Sequence, residues 1–344
     1  MPSSWKRIAS RKTPLHALIV CISVLLICAG CSEKISDRRV YVLTTGNTGG
    51  TYYPVGVALS TVVTAIPDAE FSLTAISSAG SMENIKLLRD NQAQFGLILS
   101  IFAAWAWEGE GPIRNPQKNL RSISAMWPNV EHFVLSSNFV TTGTLSDLAN
   151  ITGQRYVLGM RNSGAEHTGI YILNSIGIDY NNAFNTAYMG YGASAGALQD
   201  GNIVGMNVPA GAPVTAITQA YAQLGPAMTI LDFSEDDLAR VNSQFPLWDF
   251  YTMPPGTYPY QDSPIRTASS PNVLVVRDDV SDDVVYQLTK LLWENLSTLQ
   301  EIHSATKQMN LADSLKGIPV PLHKGALRYY QERGISIPNH LLGG

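Results

Sequence analysis

Between residues 40 and 108 the chain runs three times through the same succession of apolar and polar positions. An apolar, β-branched stretch (Val40–Leu43) gives way to a loop of glycines and hydroxyl residues. A segment from Tyr53 to Ile66 with apolar side chains at helical spacing follows. Phe71–Ile76 alternates like a half-buried strand and leads into Ser77–Asn84, where Ser81 can cap a helix carrying Ile85, Leu87 and Leu88. Phe95–Leu99 is apolar throughout, Ser100 is the next cap, and Ile101–Glu108 is the next helix. In an open α/β sheet such strand ends gather at one edge, where ligands bind.

From Leu120 to Leu135 two strand-like runs flank Met126-Trp127-Pro128-Asn129, which reads as a crossover into a second lobe. That lobe opens with the same device: Arg155–Gly159 is a strand, Ser163 a cap, and a helix continues through Ile176. Ser234 to Asp237 has capping-box spacing, so its acidic run reads as a solvated helix start rather than a metal site. Pro254–Tyr260 breaks regular structure and reads as a linker back to the first lobe. Strand Val273–Val276, an amphipathic helix from Ser281 and a last helix over Gly325–Arg333 complete an α/β chain.

Composition narrows the compartment. Lys6, Arg7, Arg11 and Lys12 precede an apolar run from Leu15 to Ile27 and then Cys28-Ala29-Gly30-Cys31. That order predicts a lipoprotein signal peptide over residues 1–31, lipidation of Cys31 and a polar tether over 32–37. The apolar run is shorter than the roughly 20 residues a membrane span needs. Four of the 23 basic residues leave with the signal, so 19 remain against 27 acids, a net charge of −8. An acidic export product without a basic cluster excludes a nucleic-acid partner, and with Cys21 and Cys28 gone no disulfide framework remains.

Glycines at 49 and 50 remove Cβ atoms that would hold a ligand off the backbone, and Thr48 or Thr51 can cap the following helix while leaving amides free. A helix start of this kind suits a small anion. A competing chemistry is written in Gly192-Ala193-Ser194-Ala195-Gly196, the G-x-S-x-G pattern of serine hydrolases. A secreted hydrolase using Ser194 is therefore the alternative function, although its acid and histidine could be supplied only through folding. The same residues overlap a G-x-G-x-x-A pattern that lacks the downstream acid of a dinucleotide site. The six histidines have no metal-ligand spacing, and neither metal nor cofactor is expected. Of Trp105 and Trp107, two apart on a helix, one is expected in the core and the other on the cleft wall.

Motifs in order along the chain carry a family resemblance. They include Thr45-Gly46-Asn47-Thr48-Gly49-Gly50-Thr51-Tyr52-Tyr53-Pro54, Ala79-Gly80-Ser81-Met82-Glu83-Asn84, Ser163-Gly164-Ala165-Glu166, Ala210-Gly211-Ala212-Pro213 and Ile318-Pro319-Val320-Pro321-Leu322-His323. With these the chain resembles the TAXI-type substrate-binding proteins of tripartite ATP-independent periplasmic (TRAP) transporters. The resemblance implies a two-lobed type II periplasmic-binding-protein fold of doubly wound α/β lobes, 38–135 with 252–344 forming one and 136–251 the other. It further implies a monomeric, non-enzymatic protein that captures a small organic anion or amino acid in the cleft and delivers it to a TRAP membrane permease.

A carboxylate between two lobes needs donors from both. The candidates are Thr48, Gly49, Thr51, Tyr52, Ser81 and Ser100 on the first, Ser163, Ala165 and Glu166 on the second, and Gly211 on its next loop. Backbone amides at 49, 81, 164 and 165 would hold the anion while Tyr52 packs on its carbon chain. Arg161 is either a partner for a second carboxylate or an exposed loop residue. Glu166 either binds an amino group or complements its own helix start. Where the family often reads Gln-Ser-Asp, this chain has Leu99-Ser100-Ile101, so a monocarboxylate or oxo acid is expected to bind more tightly than glutamate.

Overall fold

The structure, a computed structural model, describes residues 38–66 and 69–343; the signal, the tether and the lipidation at Cys31 lie outside them. Its strands are β1 (Arg39–Thr44), β2 (Phe71–Ile76), β3 (Phe95–Leu99), β4 (Leu120–Val130), β5 (Phe133–Ser136), β6 (Arg155–Gly159), β7 (Asn185–Tyr188), β8 (Gly205–Asn207), β9 (Met228–Ile230), β10 (Asp249–Met253) and β11 (Ile265–Arg277). Its α-helices are α1 (Tyr52–Thr64), α2 (Ser81–Arg89), α3 (Ser100–Glu108), α4 (Gly164–Ser175), α5 (Tyr180–Ala183), α6 (Tyr191–Gln199), α7 (Thr215–Leu224), α8 (Glu235–Val241), α9 (Asp282–Glu294), α10 (Leu296–Ile302) and α11 (Lys324–Glu332).

Two sheets form, and they are wound alike. The first runs β10-β11-β3-β1-β2, with β4 also pairing β11; the second runs β7-β6-β8-β5-β9. In each, a parallel trio stands in the order second, first, third, and an antiparallel strand, β11 or β5, closes its inner side. This is the two-lobed α/β architecture expected. Helices on the sheet faces cover the central strand β3 from both sides, and all five of its residues are buried, while the edge strands β2 and β7 are only partly covered. Val55, Leu59 and Val63, at helical spacing on α1, are likewise buried, each contributing about 2 kcal/mol of hydrophobic stabilisation. Their burial fixes the helix behind the loop 45–51.

Two readings are corrected by long-range pairing. Met126–Asn129 is no crossover: β4 continues to Val130 and the chain passes to the second sheet at Glu131 and His132. Pro128 is accommodated because it stands opposite Pro271 where the β4–β11 register shifts, so neither proline takes a donor from an otherwise regular ladder. Pro254–Tyr260 is not the return linker either. It joins β10 to β11, two antiparallel partners in the first sheet. Sheet membership therefore changes just before β5 (133–136) and again before β10 (249–253), not at 135/136 and 251/252.

The passage at 131–132 is tightly bonded. Val130 and Ala210 exchange both backbone hydrogen bonds, and the amide of Glu131 donates to the carbonyl of Ala268. His132 Nδ1 lies 2.9 Å from the carbonyls of both Val130 and Val208, which places its proton there. Nε2 therefore accepts from the Tyr258 hydroxyl at 2.8 Å, whose oxygen in turn accepts from the amide of Val214. Burial keeps this imidazole neutral, its pKa pushed down to about 4.

Candidate functional site

The C-terminal edges of the two parallel trios face one another across a cavity of about 40 Å³. The loop after β1 is held by Asn84, a fully buried residue of α2. Its Nδ2 donates to the carbonyls of Thr45 and Leu97, and its Oδ1 accepts from the hydroxyls of Thr44 and Ser78, all within 2.6–2.7 Å. One amide side chain thus ties β1, its loop, α2 and β3 into a single edge.

Two helix starts meet at the cavity. Gly80 precedes α2 with φ of 102°, a conformation open to glycine, and no side chain caps the helix. Opposite it, α4 begins at Gly164, where an added Cβ would come within 3.1 Å of Ser81 Oγ and 3.3 Å of the Ser81 amide nitrogen. The second sheet therefore brings an N-terminus almost against that of the first. Each carries roughly +0.5 charge, so at about 4 Å and an effective dielectric of about 20 they repel by about 1 kcal/mol. A monoanion between them is attracted by about 4 kcal/mol on the same scale. Glu83 and Glu166, in the first turns of the two helices, already supply some negative charge, and an anion in the cavity adds to it.

The predicted site residues divide. Thr51, Tyr52, Ser81, Ser163 and Ala165 line the cavity. Ser163 caps α4 by accepting from the Glu166 amide at 3.1 Å, which leaves the amides of Gly164 and Ala165 outside the cap, with Gly164 standing against Ser81. Gly211 serves at the rim: its carbonyl accepts the Thr51 hydroxyl at 2.9 Å, a bond joining the two sheets. Glu166 is committed to its own helix start, accepting from the Asn162 amide. Gly49 cannot offer its amide, which donates to Asn47 Oδ1 at 3.0 Å. Thr48 lies on the outer side of the loop, beside Tyr53, Val57 and Ile302. Ser100 is fully buried and outside the cavity lining, as is Ile101, a core residue. Arg161 stacks 3.9 Å over the Tyr188 ring.

Neither tryptophan walls the cleft. Trp105 is buried against Phe102 and Tyr171, and Trp107 lies beneath Lys118. Ser194 sits inside α6, its hydroxyl donating to the Gly190 carbonyl at 3.0 Å, and it makes no bond to a histidine or carboxylate. That geometry is a helix back-bond, not a nucleophile elbow.

Three contributors escaped the sequence reading. Tyr191 closes the cavity from the second sheet, its ring against Gly50 and its hydroxyl donating to the Pro209 carbonyl at 3.0 Å. Asn129 lines the cavity from β4, and Asn272 of β11 orders the wall behind it. The one available signal was an asparagine next to a proline inside each of two strands. Among the described residues, no charged side chain lines the cavity. Behind it, close to Tyr52 and Tyr191, lies Glu131, whose pKa burial pushes up to about 8 despite its bond from the Trp248 indole. Burial thus favours its uncharged form. Burial likewise raises the Tyr52 and Tyr191 hydroxyls, so both remain protonated.

Like-wound sheets meeting edge to edge over a cavity place the molecule in the two-lobed periplasmic-binding-protein fold. The chain belongs to the NMT1-like family, whose model matches residues 43–334. Among solved structures it is similar to a ligand-binding component of an ABC-type import system from Staphylococcus aureus (10% identity over 89% of this chain and 99% of that one, TM-score 0.48). It is also similar to a binding-protein component of an ABC phosphonate transporter from Pseudomonas aeruginosa (12%, 78% and 79%, 0.47). A third is the periplasmic aliphatic sulphonate binding protein SsuA of Escherichia coli (11%, 89% and 96%, 0.43). At these scores the likeness is too loose to assign a ligand.

Proposed function

We propose that this protein is an extracytoplasmic, non-enzymatic solute-binding protein that captures a small organic anion or amino acid between its two lobes. The observation that carries this reading is the pair of helix starts facing each other across the cavity at Ser81 and Gly164, whose first-turn amides are left open to an anion. The ligand's carboxylate takes the amides of Ser81, Gly164 and Ala165 and the Ser163 hydroxyl, and Tyr52 packs on its carbon chain. One lobe is centred on each sheet. They open about the passages at Glu131–His132 and before Asp249, breaking the Thr51–Gly211 bond as they do.

The mature chain is tethered to a membrane through Cys31 and delivers its ligand to a permease of the TRAP type, as the TAXI resemblance implies. Calorimetry of the purified protein against small carboxylates, amino acids, sulphonates and phosphonates tests the binding reading; micromolar affinity for a carboxylate is expected, and silence across the panel contradicts it. Uptake in cells separates permease classes. Transport that collapses with the sodium gradient but survives ATP depletion supports the TRAP assignment, and the opposite dependence supports an ABC importer.

A further inference from the structure

Trp127, Asn129 and Glu131 alternate along β4 and just past its end, so their side chains share one face. Each is buried and each has a polar atom with no protein partner: the Trp127 indole nitrogen, Asn129 Oδ1 and Glu131 Oε2. Such atoms are rare in folded proteins because desolvation leaves them without compensation. Of the three residues only Asn129, 2% exposed, lines the ligand cavity.

Which end of the Asn129 amide is left open follows from a backbone carbonyl. Trp127 offers only an oxygen, so the Asn272 atom 2.8 Å from it must be Nδ2, and Asn272 Oδ1 faces the other way. That oxygen therefore accepts twice, from the Tyr52 hydroxyl and from Asn129 Nδ2 at 3.0 Å. Asn129 must turn its nitrogen to Asn272, and its oxygen is left without a partner. The Tyr52 hydroxyl is engaged, giving its proton to Asn272 and meeting the Ser81 side chain. Helix amides thus stand on one side of the cavity, and on the other Asn129 holds a buried oxygen without a partner.

We infer that Asn129 is a specificity-determining residue that selects ligands bearing a hydrogen-bond donor beside the carboxylate, namely small hydroxy- or amino-carboxylates over the matching oxo or unsubstituted acids. This rests on the carboxylate-binding reading above and reverses the expectation drawn from Ile101, which is a core residue away from the cavity. A site built to receive a donor leaves its own buried acceptor unpaired when the ligand lacks one, and discriminates by one or more powers of ten.

The test is calorimetry of the purified protein with two matched series: propionate, pyruvate, lactate and alanine, and glutarate, 2-oxoglutarate, 2-hydroxyglutarate and glutamate. In at least one series the hydroxy or amino acid is expected to bind ten-fold or more tightly than both companions. In Asn129→Leu that ratio should fall toward one while carboxylate binding persists. Should this variant fail to fold, Asn129→Asp serves, with the amino acid expected to gain ten-fold or more relative to the hydroxy acid. An oxo or unsubstituted acid binding as tightly as its donor-bearing partners in both series overturns the inference and leaves the carboxylate reading standing. So does a ratio unchanged in Asn129→Leu. If neither series binds at all, the carboxylate reading fails, and this inference with it.

Discussion

The start of α8 and the facing starts of α2 and α4 meet the same physical need in opposite ways. Every helix begins with amides that have no intrahelical acceptor. At α8 the Ser234 hydroxyl accepts from the Asp237 amide, the Asp237 carboxylate accepts from the Ser234 amide, and three acidic side chains in the first turn complement the dipole. That terminus is finished internally. At α2 no side chain caps the helix, and its one first-turn acid, Glu83, reaches back to the Ala79 amide. At α4 the Ser163 cap satisfies only the third amide. A terminus whose amides are met by its own capping box supports only its helix; the two that face each other across the cavity keep first-turn amides open, and those suit an anion from outside.

Substitutions at the two kinds of terminus should therefore separate binding from stability. The largest effect is expected from Gly164→Val, whose branched side chain would occupy the space within about 3.1 Å of Ser81 Oγ. Ligand affinity should fall at least about 100-fold with the fold retained, as read by calorimetry and far-ultraviolet circular dichroism.

A second prediction concerns the passage between the sheets. Glu131 has a folded-state pKa of about 8, above its ordinary 4.5, so the native state holds a proton that the unfolded chain releases. Stability should fall as pH rises from about 4.5 to about 8. His132, depressed to about 4, acts in the other direction: the unfolded chain binds its proton first, so its contribution rises with pH between about 4 and 6.5. Above 6.5 only the Glu131 decline remains, up to about 2 kcal/mol by pH 8. Urea unfolding of Glu131→Gln should show that decline abolished; an unchanged slope would place the titrating group elsewhere.

Thr51→Val removes the hydroxyl that joins the sheets through Gly211 while keeping the side chain's shape. It should weaken ligand binding about ten-fold, because the closed state then leaves a buried carbonyl unpaired. The smallest effect belongs to Ser234→Ala at the contrasting terminus, about 1 kcal/mol of stability with ligand affinity unchanged. Loss of affinity in that variant would dissolve the distinction between the two kinds of helix start.

What could be read from the chain was what is local. Ser163 and Ser234 announce themselves as caps because the residues they serve stand three positions away. Strand, small-residue loop and helix in succession were enough to indicate an α/β fold, and the strand ends border a cavity. What stayed hidden is pairing across distance. Asn129 and Asn272 are 143 positions apart, and nothing near either of them says that their amides meet behind Tyr52. Pro128 imitated a break because its opposing Pro271 is visible only once β4 and β11 are aligned. Ser194 imitated a nucleophile because small residues at a helix start reproduce that pattern without its strained turn.

The most direct test of the account is a ligand titration followed by amide proton and nitrogen chemical shifts in the labelled protein. Binding of a small carboxylate is predicted to move the amides of Ser81, Gly164 and Ala165 most, with large downfield proton shifts from charged hydrogen bonds, while the amides of Glu235 to Asp237 at α8 stay in place. Saturable binding that leaves the amides of 81, 164 and 165 unmoved would contradict the claim that the facing helix starts hold the anion.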